Sequence, residues 1–403
     1  MISLQRYQQL VRAHYVGDAI LSSIIGRMPM SITGLALLLF IQSKTRSFAL
    51  AGMISALYVL GLGLLAPILG RLIDRLGPKP VLSVSAVTYP VALIALVLLV
   101  AQSAPSLWVA ACSVVAGAAM PPITVCMRAL YPQLLKDENL VQAAYSLDSA
   151  LIETIFILGP NLVAVFVAAH LTQGAVLFAA GCAALGSIVF LRSRAIKFWT
   201  LHGPGSSRDL LGPLHNPRLL ALFMATCLYS AAFGLFEVGV TGFATYRGTP
   251  AAAGTILGLA SVGSALGVFV YGSHNWTAPV TRQLLLALAA MAGGILMVIP
   301  VNNLYAFAVI AVIGCAPMSV VLAATSTLIS RLASRAMIAE SFTWMATCLL
   351  VGISAGTAAG GVMVEHFSAT PVFVSAAATT ALAGLVTGLK LSARSMLPAN
   401  EKI

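Results

Sequence analysis

Long apolar stretches alternate with short polar ones along this chain, and the alternation repeats twelve times. Each stretch is close to the ~20 residues that carry a helix across a hydrocarbon layer of about 30 Å. The predicted spans are 16–42, 47–70, 80–101, 106–127, 140–168, 173–191, 218–246, 250–272, 280–300, 304–327, 340–363 and 369–390. They are too long and too uniformly apolar for strands of a membrane barrel, so the pattern predicts helices. The longest polar stretch runs from Arg192 to Arg218 and holds Gly203-Pro204-Gly205-Ser206-Ser207, the composition of a flexible linker. It divides the chain into a six-span bundle over 1–191, a linker over 192–217 and a second six-span bundle over 218–403. Residues 117–170 echo residues 314–367: each stretch is a span, a basic loop and a second long span. The expectation is therefore an all-α integral membrane protein of twelve transmembrane helices in two six-helix pseudo-repeats.

Composition narrows the class further. The chain is 60% apolar and 8% charged, whereas about a quarter of an ordinary soluble domain is charged. A net charge of +11 invites a nucleic-acid reading, but its distribution argues against one. With the N-terminus in the cytoplasm, all of the 22 Lys and Arg except Arg27, Lys44, Arg46 and Arg247 fall on the cytoplasmic side. That is the positive-inside bias of a bundle with both termini in the cytoplasm. The expected partners are thus the lipid bilayer and a small-molecule substrate, with no nucleic acid. The expected location is a plasma or inner cell membrane, multi-pass, with the chain acting as a monomer. The first residues show no apolar core followed by a small-residue cleavage site, and read as an amphipathic lead-in to the first span. The six cysteines all lie within predicted spans and have no metal spacing, so no metal and no cofactor are expected.

The loop after the second span reads Gly70-Arg71-Leu72-Ile73-Asp74-Arg75-Leu76-Gly77-Pro78-Lys79. It predicts a tight turn at a membrane surface. Gly70 would let two helix backbones approach, Gly77 would supply a turn without Cβ strain, and Asp74 would pair with helix N-termini or an arginine. The string resembles the signature loop of the major facilitator superfamily of secondary transporters, G-x-x-x-D-R-x-G-R-[RK]. The match is carried by Gly70, Asp74, Arg75, Gly77 and Lys79, with Pro78 where a basic residue is usual. The resemblance implies two six-helix halves rocking about a midplane site, with Asp74 and Arg75 latching the cytoplasmic side. Gly159-Pro160 in the fifth span is similar to the core of a signature in drug/proton antiporter branches of that family, although the neighbouring glycines of the full pattern are missing. A helix kink is expected there, and another at Pro29.

Eleven acidic residues are present, and three of them, Asp148, Glu153 and Glu237, fall within spans. Insertion of such a group at membrane depth costs roughly 2.5–3.5 kcal/mol, so it commonly faces a cavity or a partner. Glu153 lies closest to the middle of its span. A carboxylic acid shielded from water keeps its proton to higher pH, which is the property a proton-coupled transporter needs. The competing reading of Glu153 is a structural ion pair with Arg27, the basic residue that sits within a span just before Pro29. Arg27 otherwise suits an anionic group. Glu237 is a second candidate for protonation or cation binding, against a simple interhelical hydrogen bond. Asp148 reads equally as part of a cytoplasmic gate, paired with Arg128 or a loop cation, and as a contact to cargo. In the eleventh span Gly352, Gly356, Gly360 and Gly361 form a close-packing face.

These features point to a secondary transporter that works by alternating access, with proton-coupled export of a small organic compound implied by the resemblance. Uptake of an anionic solute by symport is the alternative, and a transport-inactive sensor of the same fold is a third. An embedded enzyme is disfavoured: no nucleophile–His pair, paired-carboxylate loop or metal cluster stands out. The sequence has no GxxxxGK[ST] loop, so an ion gradient, most simply of protons, is the expected energy source.

Overall fold

The computed structural model describes residues 15–135, 138–199, 212–273, 276–299, 301, 303–333 and 338–391. Among these residues every regular element is helical. The α-helices are α1 Val16–Arg27, α2 Pro29–Thr45, α3 Phe48–Leu76, α4 Pro78–Ala101, α5 Ser106–Ala118, α6 Ile123–Leu134, α7 Glu138–Ala168, α8 Thr172–Arg192, α9 Pro217–Tyr246, α10 Ala251–Ser273, α11 Val280–Met297, α12 Leu304–Leu332, α13 Ile338–His366 and α14 Ala369–Leu391. Short 3-10 helices occupy Arg194–Phe198 and Gly212–His215. Twelve stretches are long and apolar enough to cross a membrane, in the order and near the positions the sequence predicts.

Two spans are each built from two helices. Pro29 has no N–H for the Ile25 carbonyl, which instead accepts from Met28 N at 3.2 Å. The first span therefore breaks after Arg27 into α1 and α2. The fourth span breaks at Met120-Pro121-Pro122, where two successive prolines remove two donors. The sequence reading had that span unbroken. It also put a tight turn at 70–79, but α3 stays helical to Leu76 and α4 begins at Pro78. Gly77 alone makes the turn, with φ of 81°, as expected of a residue without a Cβ. Gly159 and Pro160 lie inside α7, which continues through them.

The chain forms two compact units. One comprises residues 1–47 and 57–207, the other residues 48–56 and 208–403. In each unit the first span packs on the sixth and fifth, and the third on the fourth and sixth. Glycines set these distances. In the first unit a Cβ on Gly186 would overlap the backbone of Gly26, and one on Gly117 would overlap the Tyr58 carbonyl, fixing the first span on the sixth and the second on the fourth. In the second unit Gly356 meets the Ala231 carbonyl, Gly352 that of Cys227 and Gly263 that of Val312. Of the predicted glycine face of the eleventh span, Gly352 and Gly356 thus meet the backbone of α9, Gly360 meets the Val238 side chain, and Gly361 meets the backbone of Phe48 and Gly52. Gly70 shows no such contact among the described residues, where nothing lies within 4 Å of a Cβ placed there.

One face of α4 is suited to lipid. On α4 the residues Val84, Val87, Val91 and Leu98 are more than half exposed, while Leu82, Tyr89, Leu93 and Leu96 are buried. An apolar stripe of this kind is a surface suited to hydrocarbon. Inside the first unit three hydroxyl groups bond to one another. Tyr89 OH lies 2.6 Å from Thr33 Oγ1 and 3.2 Å from Tyr58 OH, which donates to Met120 Sδ at 3.4 Å. In the second unit the Glu365 carboxylate accepts from the backbone N–H of Ala49 at 2.6 Å, Ser354 Oγ donates to the Ala56 carbonyl at 2.8 Å, and the rings of Phe48 and Tyr246 lie 5.8 Å apart.

Candidate functional site

Both helix breaks lie close to an arginine. Arg27 is the last residue of α1, and Arg128 sits midway along α6. The Gly26–Gly186 contact draws the end of α1 against α8 and so fixes where the Arg27 side chain starts. Arg128 and Tyr131 are three residues apart and share a face of α6. All three converge on Asp148 of α7. Arg27 Nη1 donates to Asp148 Oδ1 at 2.6 Å, Tyr131 OH to the same oxygen at 3.1 Å, and Arg128 Nε to Oδ2 at 3.1 Å. The side chains of Arg27 and Asp148 are 2% and 0% exposed, and that of Arg128 is 51% exposed. Beside them lies a small apolar core that includes Ile20, Ile123, Met127, Leu130 and Phe190.

Two features of this cluster are chemically unusual. Two guanidinium groups share one carboxylate. In addition, Nε and Nη2 of Arg27 are buried and meet no acceptor among the described residues.

The sequence reading set Arg27 against Glu153, and the structure corrects this. Glu153 is five residues beyond Asp148, about 140° round the helix, so the two carboxylates cannot face one partner. Asp148 takes Arg27, and it takes Arg128 as one expectation for it had proposed. The carboxylates of Glu153, half-buried on α7, and Glu237, half-buried on α9, meet no hydrogen-bond or ion-pair partner among the described residues. Glu237 follows Phe236, which lines a small apolar cavity with Phe233, Met291, Ile295, Cys315 and Met318, but Glu237 itself is not part of that lining. Lys79 is exposed at the start of α4. The side chains of Asp74 and Arg75 lie outside the described part of the structure, and with them the expected latch. Tyr131, which sequence reasoning missed, lies beyond the predicted end of the fourth span at 127, in what reads as a loop, whereas α6 stays helical to Leu134 and places it one turn from Arg128.

Twelve apolar spans, with the packing of the first six repeated among the last six, fit the architecture of a membrane transporter of the secondary type. The chain belongs to the Major Facilitator Superfamily, whose sequence profile matches residues 19–357. No curated protein sequence matches it. Among solved structures it is similar to the nucleoside transporter NupG, with 12% identity over 94% of this chain and 99% of that one and a TM-score of 0.75. It is also similar to a bacterial homologue of the iron transporter ferroportin in its inward-facing state, with 14% identity over 97% and 100% of the two chains and a TM-score of 0.73. The human organic anion transporter MFSD10 gives 15% identity over 92% and 98%, with a TM-score of 0.60. At these identities the likeness is one of fold. The chain is a transporter and not an enzyme, and it works on a small-molecule substrate from within a lipid bilayer.

Proposed function

We propose that this protein is a proton-coupled transporter that exports a small organic compound by alternating access, with Glu153 and Glu237 taking up and releasing the proton. The observation that carries this reading is the pair of half-buried carboxylates, one in each unit, that have no partner among the described residues. An acid retained at such a position without a structural bond is available for protonation. A proton shifts the balance between two states only by its differential affinity for them, and an unpaired acid whose surroundings change offers that difference. The export direction follows from the likeness of Gly159-Pro160 to antiporter branches. In this reading the basic loops and both termini face the cytoplasm, the membrane is the plasma or inner membrane, and the working unit is a monomer. Asp74, Arg75 and Lys79 hold the cytoplasmic side closed in one state. The unpartnered edge of Arg27 favours a second reading, uptake of an anionic solute by symport.

The test is proton movement in proteoliposomes containing a pH-sensitive dye, with a panel of lipophilic cations, sugars and organic acids. Cargo-driven proton flux in the wild type that disappears in Glu153→Gln, while cargo binding is kept, supports the reading. Cargo flux with no dependence on the proton gradient overturns it.

A further inference from the structure

We propose that the cavity between α9, α11 and α12 is a binding site for one soft monovalent metal ion, Cu(I) or Ag(I). Its ligands are the thiolate of Cys315 and the thioethers of Met291 and Met318, all of which line the cavity. The cysteines alone show no metal spacing, because the three sulfurs come from two helices and two of them belong to methionines. Cys315 and Met318 are three residues apart and share one face of α12. A backbone contact brings Met291 level with them, since a Cβ on Gly294 of α11 would overlap Gly314 Cα of α12. These helices are consecutive and joined by a short connection, so they run antiparallel. Three residues back from Gly294 is therefore the height of three residues forward from Gly314, which is beside Met318. The three sulfur-bearing residues thus lie within about one helical turn, ~5.4 Å, along the two axes.

Size and lining select the guest. The cavity volume is about 10 Å³, which suits one particle no larger than water and excludes an organic molecule. A water there would lack the two to four polar partners it needs, because the lining side chains carry no oxygen or nitrogen. Methionine ordinarily closes gaps of this size, since its unbranched chain adapts to them, yet here two methionines surround one. Sulfur then selects the metal. Thiolate and thioether are soft donors that favour Cu(I), whereas Ca²⁺ and Mg²⁺ take oxygen ligands. Cys315 is a free cysteine, half-buried as Met318 is. Loading breaks its S–H bond and forms a sulfur–metal bond; the proton leaves to solvent and no electron is transferred. The cation and the thiolate sum to zero charge, the form that apolar surroundings tolerate. Phe233 and Phe236 of α9 complete the lining and keep water from competing for the ion. The site does not depend on proton coupling at Glu153 or Glu237.

The experiment loads the reduced, full-length protein in detergent micelles with Cu(I) without oxygen, then competes it with a Cu(I) chelator that strips single thiols. The wild type should retain one copper per chain, and X-ray absorption should show sulfur neighbours alone. Cys315→Ala should lose that copper. Met291→Leu and Met318→Leu conserve volume and should fold. Each should bind at least about tenfold more weakly, since losing a group that merely supports a ligand already costs about 10–100-fold. These two variants keep the test decisive should Cys315→Ala fail to fold. Cys112→Ala removes a free cysteine of α5, outside the cavity, and should retain copper as the wild type does. The proposal is overturned if the wild type retains no copper, or if Cys315→Ala or both methionine variants retain it unchanged. It is equally overturned if Cys112→Ala loses as much as Cys315→Ala, which would mark unspecific thiol binding. Copper retention without proton-coupled flux of an organic cargo would sink the transport reading and leave this site standing. Such flux without copper retention would do the reverse.

Discussion

Replacing Asp148 with asparagine removes the one anion that two arginines share. The side chain is 0% exposed and accepts from Arg27, Arg128 and Tyr131 at 2.6, 3.1 and 3.1 Å. Asparagine has nearly the same shape, but it removes the negative charge and turns one acceptor oxygen into an NH2 group facing N–H donors. Breaking a buried ion pair by removing one partner costs about 3–5 kcal/mol. The share belonging to Arg128 is small, because that side chain is 51% exposed and half-solvated pairs contribute up to about 1 kcal/mol. Most of the loss therefore comes from leaving Arg27 buried and unpaired, and Asp148→Asn should cost about 3–4 kcal/mol. Arg128→Gln should cost about 1 kcal/mol or less. Arg27→Gln leaves Asp148 paired with Arg128 and should be milder than Asp148→Asn. The assay is equilibrium unfolding in mixed micelles, extrapolated linearly to zero denaturant, with all three variants measured side by side. A loss below about 1 kcal/mol for Asp148→Asn, or an equal loss for Arg128→Gln, would show that the buried pair does not carry the energy assigned to it.

Three further outcomes are expected. Gly356→Ala forces a Cβ into the Ala231 carbonyl, so a loss of about 1–3 kcal/mol from overpacking should exceed the helix-propensity gain of about 1 kcal/mol. Gly181→Ala, with nothing within 4 Å of its Cβ, should show the gain alone, and unfolding curves would separate the two. Tyr89→Phe leaves Thr33 and Tyr58 short of a partner and should cost about 1–3 kcal/mol in the same unfolding measurement; an unchanged midpoint would mean that water or a neighbour takes over. Glu365→Ala removes the acceptor for Ala49 N–H at the start of α3 and should cost about 0.5–2 kcal/mol, the range for a lost N-cap, whereas Glu365→Gln keeps an oxygen there and should lose less.

The twelve spans were legible because a bilayer imposes a length and an apolarity that few other structures share. The break at Pro29 was legible for the same reason that any missing N–H is. The break at Met120-Pro121-Pro122 went unread although both prolines were in plain view, because the apolarity of the run was allowed to decide its continuity. Glycines carried the opposite lesson. Gly352 and Gly356 stood at a spacing that repeats on one helix face and proved to be contacts, while Gly70 stood in a familiar string and, among the described residues, has room for a Cβ. The choice of acid for Arg27 failed for a geometric reason. Depth in the membrane follows from counting residues, but azimuth depends on how each helix is rotated, and five residues are enough to turn a carboxylate to another face. The Thr33–Tyr89–Tyr58 bonds were invisible for a related reason, since a tyrosine in an apolar run looks like any other bulky side chain until its hydroxyl is located.

The two helix breaks have a consequence for how the first unit opens. α1 and α6 are short pieces, each severed from the rest of its span, and they share one core with Ile73, Leu82, Phe190 and Ile196. Their amide protons should therefore exchange with solvent as one cooperative block. The exchange rates of α2 and α5, across the breaks, should follow a different and independent clock. Asp148 is the bolt through that block, so its loss would show first as faster exchange over residues 16–27 and 123–134, well before the spans themselves come apart.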